Sequence, residues 1–406
     1  MHPLHVLLLN EYFPPDTAAT AKNAALVAEA LSERHYVTVL AGRPSYDPLD
    51  RHPRYLFRRE QLGNLVIERV GSTAFARLGM KGRLANYLSY LALAVPRALS
   101  MTPDVVLAMT DPPIEGIVGA YIAKFLGRPF VYNIRDLYPE MAVAGGILPP
   151  GIWTSAWEDS HRRALLQASR VIVLGEDMRE RIIEKGVNAS RVTLIRDAVP
   201  VPEILPPANQ AVVREIRDGF RFVIVHAGNL GFYGAWHTLI DAAQMLESEG
   251  VGLVFVGDGA MKKQIQEIAR NCGNIRFLPF LPASEIPAVM AAGNLHVVTI
   301  KRGLEGVVVP SKLYNILAYG RPVLAIATER AEAARLVRHY ECGAAADPDD
   351  AGQVSQAIRC LLNAPERLER MSQQARALAK TYNRLTELQK FAGVIEDVVL
   401  RNSNAS

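Results

Sequence analysis

The run VVPSKLYNILAYGRPVL, Val308 to Leu324, sets a lysine and several polar side chains at the start of a helix, between two apolar strands. Pro310 suits a first helical turn and Ser311 suits a cap. Free N–H groups at such a terminus, joined by the Lys312 ammonium, make a ready site for a diphosphate. Lys312 and Asn315 are three residues apart and point together to one side, while Leu313, Ile316 and Leu317 face the core. Gly320 ends the helix and Pro322 prevents its resumption. Two glycine-bearing turns carry related chemistry. GNLG (Gly228, Asn229, Gly231) follows an apolar strand, and GDG (Gly257, Gly259) follows the next one. Small residues there let backbone amides approach a diphosphate, although either turn also reads as a plain strand–helix connection. In IRDLYPE, Arg135 and Asp136 fall just past a strand end, where a carboxylate can orient a hydroxyl, take its proton, or simply cap the next turn. Asp16 and Thr17 of PPDT, with Arg43 and Tyr46 of GRPSY, belong to the same predicted rim, and Asp197 follows the last strand of that half.

These residues need strands to carry them. Apolar, β-branched runs alternate with helical patterns along most of the 406 residues, the signature of parallel α/β layers. In the first half the expected strands are Leu4–Leu9, Tyr36–Ala41, Leu65–Val70, Val105–Met109, Phe130–Asn133, Val171–Leu174 and Val192–Ile195. A stretch with four prolines, Pro200, Pro202, Pro206 and Pro207, reads as a linker. A second series follows, with strands Phe222–His226, Leu253–Val256, Ile275–Leu278, Leu295–Ile300 and Pro322–Ala327. The expectation is two doubly wound Rossmann-like domains, 1–200 and 201–382, facing across a cleft, with a helix at about 383–406 packing back on the first. Ligands of such sheets bind beyond the carboxyl ends of the strands, where these motifs sit.

Composition narrows the classes. Half the residues are hydrophobic and 21% are charged, as in a globular chain. Cys272, Cys342 and Cys360 show neither metal-ligand spacing nor a disulfide framework, which points to a reducing compartment. The N-terminus reads as a first strand rather than a signal peptide, and no run approaches the length of a membrane span. The expected location is the cytoplasm, peripheral at the inner face of the plasma membrane. The net charge of +4 is unevenly spread: between Arg51 and Ser100 nine basic residues face two acids, interleaved with Tyr55, Phe57, Phe75, Tyr87 and Tyr90. Such a surface attracts anionic lipid headgroups or phosphorylated ligands. No nucleic-acid-binding motif is present.

The motifs in this order resemble family-4 retaining glycosyltransferases of the two-domain GT-B fold. The matching runs are HAGNLGFYGAWHTLIDAA, VFVGDGAMKKQI, FLPFLPASEIPAVMAAGNLHVV and VVPSKLYNILAYGRPVLA in the second half. NEYFPPDTAATAKNAALVAEAL, VTVLAGRPSYDP and FVYNIRDLYPEMAVAGGIL match in the first, the last being similar to enzymes that assemble bacterial surface polysaccharide and O-antigen units. The resemblance covers nearly the whole chain. It implies transfer of a sugar from a nucleotide diphosphate sugar to an acceptor hydroxyl, with the donor in the second domain and the acceptor, a glycan on a polyprenyl diphosphate, in the first. It places Phe280 and Leu281 beside the nucleotide base and implies no cofactor beyond the donor substrate. No DxD run stands at a strand end, so no metal is expected, and Lys312 with helix-terminal amides would stabilise the leaving diphosphate.

Three departures stand against the resemblance. Relatives carry two glutamates eight positions apart; here those positions hold Val307 and Asn315, with Glu305 two residues before the first. An asparagine still accepts a hydrogen bond from a ribose hydroxyl but loses its charge-assisted part. Asn229 occupies the place of an arginine that clamps the diphosphate, which leaves Lys312 as the replacement. The glycine pair after the first strand is Ala18–Ala19. Two other functions fit the same frame: an epimerase or hydrolase of nucleotide sugars, for which His226 is the donor-side candidate, and a non-catalytic binding protein. A dehydrogenase is disfavoured because no GxGxxG follows the first strand.

Overall fold

The computed structural model describes residues 2–44, 55–73, 75 and 80–403. Tyr46 lies outside them, as do Arg51, Arg54 and Arg77 of the basic window.

Strands β1 (His5–Leu9), β2 (Tyr36–Gly42), β3 (Phe57–Leu62), β4 (Leu65–Val70), β5 (Val105–Ala108), β6 (Phe130–Asn133), β7 (Arg170–Val173) and β8 (Val192–Leu194) form one sheet in the order β3-β4-β2-β1-β5-β6-β7-β8. All pairs are parallel except β3–β4. The second sheet joins β9 (Phe222–Ala227), β10 (Val251–Val256), β11 (Ile275–Leu278), β12 (Leu295–Thr299), β13 (Val323–Ile326) and β14 (Gly343–Ala346) in the order β11-β10-β9-β12-β13-β14, parallel throughout. The central strands are apolar along their length because helices cover both faces. On one face of the first sheet, Leu7, Val106 and Val171 pack with Tyr90, Ala123 and Leu165 of three helices. On the other, Val6, Val39 and Leu107 meet Ala24 and Leu31 of helix Ala19–Ser32 and Phe391, Ile395 and Val398 of helix Arg384–Ser403.

Two elements escaped the sequence pattern. β3, FRREQL, is mostly exposed and has no buried alternation; it forms only as an antiparallel edge on β4. β14, GAAA, is too poor in β-branched residues to stand out.

In each sheet the strand order reverses once. The reversal lies between β1 and β5 in the first and between β9 and β12 in the second. The loops after β9 and β12 therefore splay apart above the second sheet, which is where a ligand crevice forms. Those loops carry Gly228 and Lys312.

The domains are joined by more than the 195–209 connection. The segment before Lys312 runs along the first domain: Val308 bridges Asp136, and the Leu137 amide donates to the Val307 carbonyl at 3.0 Å. Arg181 donates to the carbonyls of Gly303 and Glu305. Gly306 has φ +68°, and a Cβ there would stand 2.4 Å from the Asp177 carbonyl oxygen, so the approach needs glycine. Behind it, buried Glu332 accepts from the Glu176 amide at 2.9 Å and from Arg196 Nε at 3.0 Å, while its own amide donates to Asp177. The Arg196 guanidinium also lies 4.5 Å from the centre of the Tyr382 ring.

Candidate functional site

The floor of the cleft is the turn after β9. Gly228 adopts φ +121°, and its amide donates to the Val256 carbonyl at 2.9 Å. The GDG turn after β10 supports it from beneath. Gly257, at φ +149°, leaves room where a Cβ would fall 2.1 Å from the Gly228 carbonyl oxygen, and Gly259 packs the same way under Leu230. Gly231 lies against the Tyr233 ring, and the Tyr233 hydroxyl donates to the Asn229 carbonyl at 2.9 Å.

Lys312 enters from the loop after β12. The Ser311 cap expected from sequence is not made: Ser311 is itself helical in conformation, its side chain accepts nothing from the backbone, and helix Lys312–Ala318 opens with tight bonds from Leu313 to Pro310 and from Tyr314 to Ser311. The apolar side of that helix is buried at Leu313, Ile316 and Leu317, which turns Lys312 and Asn315 into the cleft. Lys312 Nζ is hydrogen-bonded to His226 Nε2 at the end of β9. Desolvation pushes the Lys312 ammonium down to about 7. His226 is fully buried, edge-on to Trp236 with ring centres 4.9 Å apart, and is held well below its ordinary value by burial and then by Lys312.

The opposite wall comes from the first domain. Asp136, just past β6, faces the cleft; enclosure by protein pushes its carboxyl up to about 7, the Asp111 charge adds to that, and Arg135 opposes it. Arg135 is paired with Asp197. The cavity between the walls is about 600 Å³, within the range of small-ligand sites. Its second-domain side gathers Gly228, Asn229, Phe280, Leu281, Pro310, Ser311, Lys312 and Asn315, and its first-domain side Arg135 and Asp136.

Other expected residues sit elsewhere. Gly231, Gly257 and Gly259 shape the floor without lining it. Asp16 is buried, Thr17 is exposed, and Arg43 is half-buried beyond the cavity walls. Residues not singled out from sequence also contribute: Thr20 and Asn23 from the first turns of helix Ala19–Ser32, Tyr233, and an apolar end made by Ile286, Val289 and Met290 beside Leu281. The spacing of Thr20 and Asn23, three apart, was a legible signal. Among the described residues, no group of three His, Cys, Asp or Glu side chains could hold a metal ion, and no helix is long and apolar enough to cross a membrane.

The arrangement is a polar floor of backbone and lysine with an apolar end and a carboxylate opposite. Residues 213–378 match the family described as Glycosyl transferases group 1, and residues 19–198 match the Glycosyl transferase 4-like domain. The chain is a glycosyltransferase with the GT-B fold. This transferase is 27% identical over 344 residues to the probable glycosyltransferase WbjE of Pseudomonas aeruginosa, spanning 80% of this chain and 82% of that protein. It is 29% identical over 212 residues to the putative colanic acid biosynthesis glycosyl transferase WcaI of Escherichia coli, spanning 49% and 51%. Among solved structures, HepE of Anabaena in complex with UDP shares 19% identity at a TM-score of 0.71, covering 97% of this chain and all of that one. WaaG, involved in lipopolysaccharide biosynthesis, shares 16% at a TM-score of 0.66, covering 97% and 99%. At these identities the two solved structures speak to the transferase fold.

Proposed function

We propose that this transferase moves a sugar from a nucleotide diphosphate sugar to a hydroxyl of a lipid-linked glycan, with retention at the anomeric carbon, in the assembly of a surface polysaccharide. The observation that carries the reading is the placement of Lys312 and the Gly228 turn across one cavity from Asp136. HepE has been solved with UDP and with UDP-glucose, and WcaI is named for colanic acid, which supports a nucleotide-sugar donor and a polysaccharide product. The nucleoside lies toward Phe280 and Leu281, its ribose against Asn315, and its diphosphate over Gly228 and Lys312.

In the reaction the bond between the anomeric carbon and the diphosphate oxygen breaks, and the acceptor oxygen bonds to that carbon from the same face. The acceptor proton passes to an oxygen of the departing diphosphate. Lys312 and the turn amides take up the charge that develops on the leaving group without a metal ion, and Asp136 holds the acceptor hydroxyl on the face from which the diphosphate departs. On the first domain, exposed Leu56 and Phe57 adjoin Arg58 and Arg59 in the chain, a surface suited to an anionic bilayer that presents the acceptor at the cytoplasmic face of the membrane.

Calorimetry with UDP-, GDP- and ADP-sugars tests the donor site on wild type and Lys312→Ala, with and without chelator. One base class should bind irrespective of chelator and weaken at least tenfold in the variant. No binding of any of the three overturns the reading. The anomeric configuration of the product, read by NMR, tests retention.

A further inference from the structure

Lys312 is half-buried in the wall of the cavity, where an incoming anion can reach it. Its partner is the Nε2 of a buried imidazole, and among the described residues no carboxylate pairs with it. A carboxylate partner would fix the lysine as an ammonium and then compete with the incoming phosphates. An imidazole does neither, because it accepts a hydrogen bond from an ammonium and donates one to a neutral amine. The bond between the two side chains therefore survives whichever way the lysine is charged.

The surroundings leave the pair to itself. His226 is enclosed by the rings of Trp236 and Phe255, whose centres lie 4.9 Å and 5.8 Å away, so it cannot turn to another partner. Gly228, whose Cβ position would be 3.9 Å from Lys312 Cε and Nζ, contributes only backbone. The hydroxyl of Tyr233 is engaged by the Asn229 carbonyl. Across the cavity the charged groups are Asp136, Arg135 and Asp197, and the last two are paired with each other.

We propose that His226 is the positioning residue for Lys312, and that the pair couples capture of the donor diphosphate to the uptake of one proton from solvent. This rests on the donor site described above. With the cleft free of anion, desolvation keeps much of Lys312 as the neutral amine near pH 7. Arrival of the diphosphate places negative charge over the Gly228 turn and stabilises the ammonium. The amine then gains a proton, drawn from buffer, and donates both to His226 Nε2 and to phosphate oxygen. By linkage, donor affinity falls as pH rises above the value at which free Lys312 titrates, with the lysine side chain held in one place throughout.

The test is calorimetric binding of UDP-, GDP- and ADP-glucose, whose diphosphates carry no group titrating near pH 7, in buffers of differing ionisation enthalpy. For the nucleotide sugar that binds, the slope should give about nine-tenths of a proton taken up at pH 8 and about one half at pH 7, for a group titrating near 7. Lys312→Met should bind at least tenfold more weakly and take up none. Asp136→Asn, which removes the carboxyl across the cavity that titrates near the same pH, should keep the uptake. His226→Leu should bind about tenfold more weakly at pH 8 than wild type but less so at pH 6, whereas His226→Gln, which retains a hydrogen-bonding side chain, should come within about threefold of wild type. Binding without proton uptake overturns the inference and leaves the donor site standing. Uptake that vanishes in Asp136→Asn but persists in Lys312→Met assigns the proton to Asp136 and also overturns it. An equal loss at both pH values in His226→Leu, without rescue by glutamine, reduces His226 to a packing residue and refutes its positioning role. No binding of any of the three nucleotide sugars defeats the donor site and this inference together.

Discussion

Replacing Gly257 by alanine should disable the donor site from below, without touching the cavity. Gly257 adopts φ +149°, and its added methyl would stand 2.1 Å from the Gly228 carbonyl oxygen and 3.0 Å from its carbonyl carbon. Ordinary contact between such atoms is about 3.4 Å, so one turn must yield by about 1 Å. The GDG turn has little freedom to move: the Gly257 amide donates to the Leu278 carbonyl at 3.0 Å, and the Gly257 carbonyl accepts from Lys262 Nζ at 3.2 Å. The Gly228 turn is therefore the part that gives, and it shifts relative to the Lys312 side chain. Strain of this kind costs about 1–3 kcal/mol, which for a domain of this size lowers the melting temperature by roughly 2–10 °C. Displacing the turn proposed to hold the diphosphate by about 1 Å should cost about 10²-fold in turnover. Differential scanning calorimetry and initial rates give the two numbers, and titration with the nucleotide that wild type binds reports the shift of the turn. A variant that melts within 1 °C of wild type and binds nucleotide within about twofold would refute the packing argument, because it would show that the GDG turn can retreat.

The remaining predictions concern other parts of the cleft and its support. Asp136→Asn should lower turnover by about 10²-fold at saturating donor while leaving nucleotide affinity within about threefold. Because burial raises the Asp136 carboxyl to about 7, its ionised form gains population as pH rises; the wild-type rate should climb through pH 7 to a plateau, and the asparagine variant should lose that climb, as a pH series of initial rates would show. Arg196→Met leaves the Glu332 carboxylate buried without its cation, which should destabilise the protein by about 3–5 kcal/mol in urea denaturation, and a second change, Glu332→Gln, should recover part of that loss. Asn315→Ala removes one neutral hydrogen-bonding group from the cavity wall and should weaken nucleotide binding by about three- to tenfold in the same titrations.

Much of this architecture was written in local patterns. LHVVTI reads as a covered strand because β12 is enclosed on both faces, and the stop at Gly320 reads correctly because it adopts φ +60° past the helix end. The side of the helix that bears Lys312 and Asn315 was also legible, since Leu313, Ile316 and Leu317 could only face inward. What escaped depends on pairings distant along the chain. His226 and Lys312 are 86 residues apart and meet because β9 and β12 are adjacent at the reversal of strand order; a lone histidine at a strand end gives no sign of that. Asp111 influences Asp136 for the same reason, following β5 and β6, which pair. Ser311 misled because serine before a helix usually caps it; here the tight first turn leaves its hydroxyl in solvent. For Gly257 and Gly259 the sequence leaves phosphate contact and a plain strand–helix turn both open, and in the fold their backbone freedom serves the packing of one turn beneath another.

The return of helix Arg384–Ser403 to the first sheet has a consequence for biogenesis. Phe391, Ile395 and Val398 complete an apolar layer whose other members, among them Val6, Val39 and Leu107, are made far earlier. As the chain leaves the ribosome, the first domain is synthesised first but cannot close until the second has followed it out. During that interval the part of this face that helix Ala19–Ser32 does not cover is exposed apolar surface, open to chaperones or to wrong neighbours. Released chains truncated near residue 382 should therefore be readily cleaved by protease within the first domain, and released chains that extend through Ser403 should be resistant there.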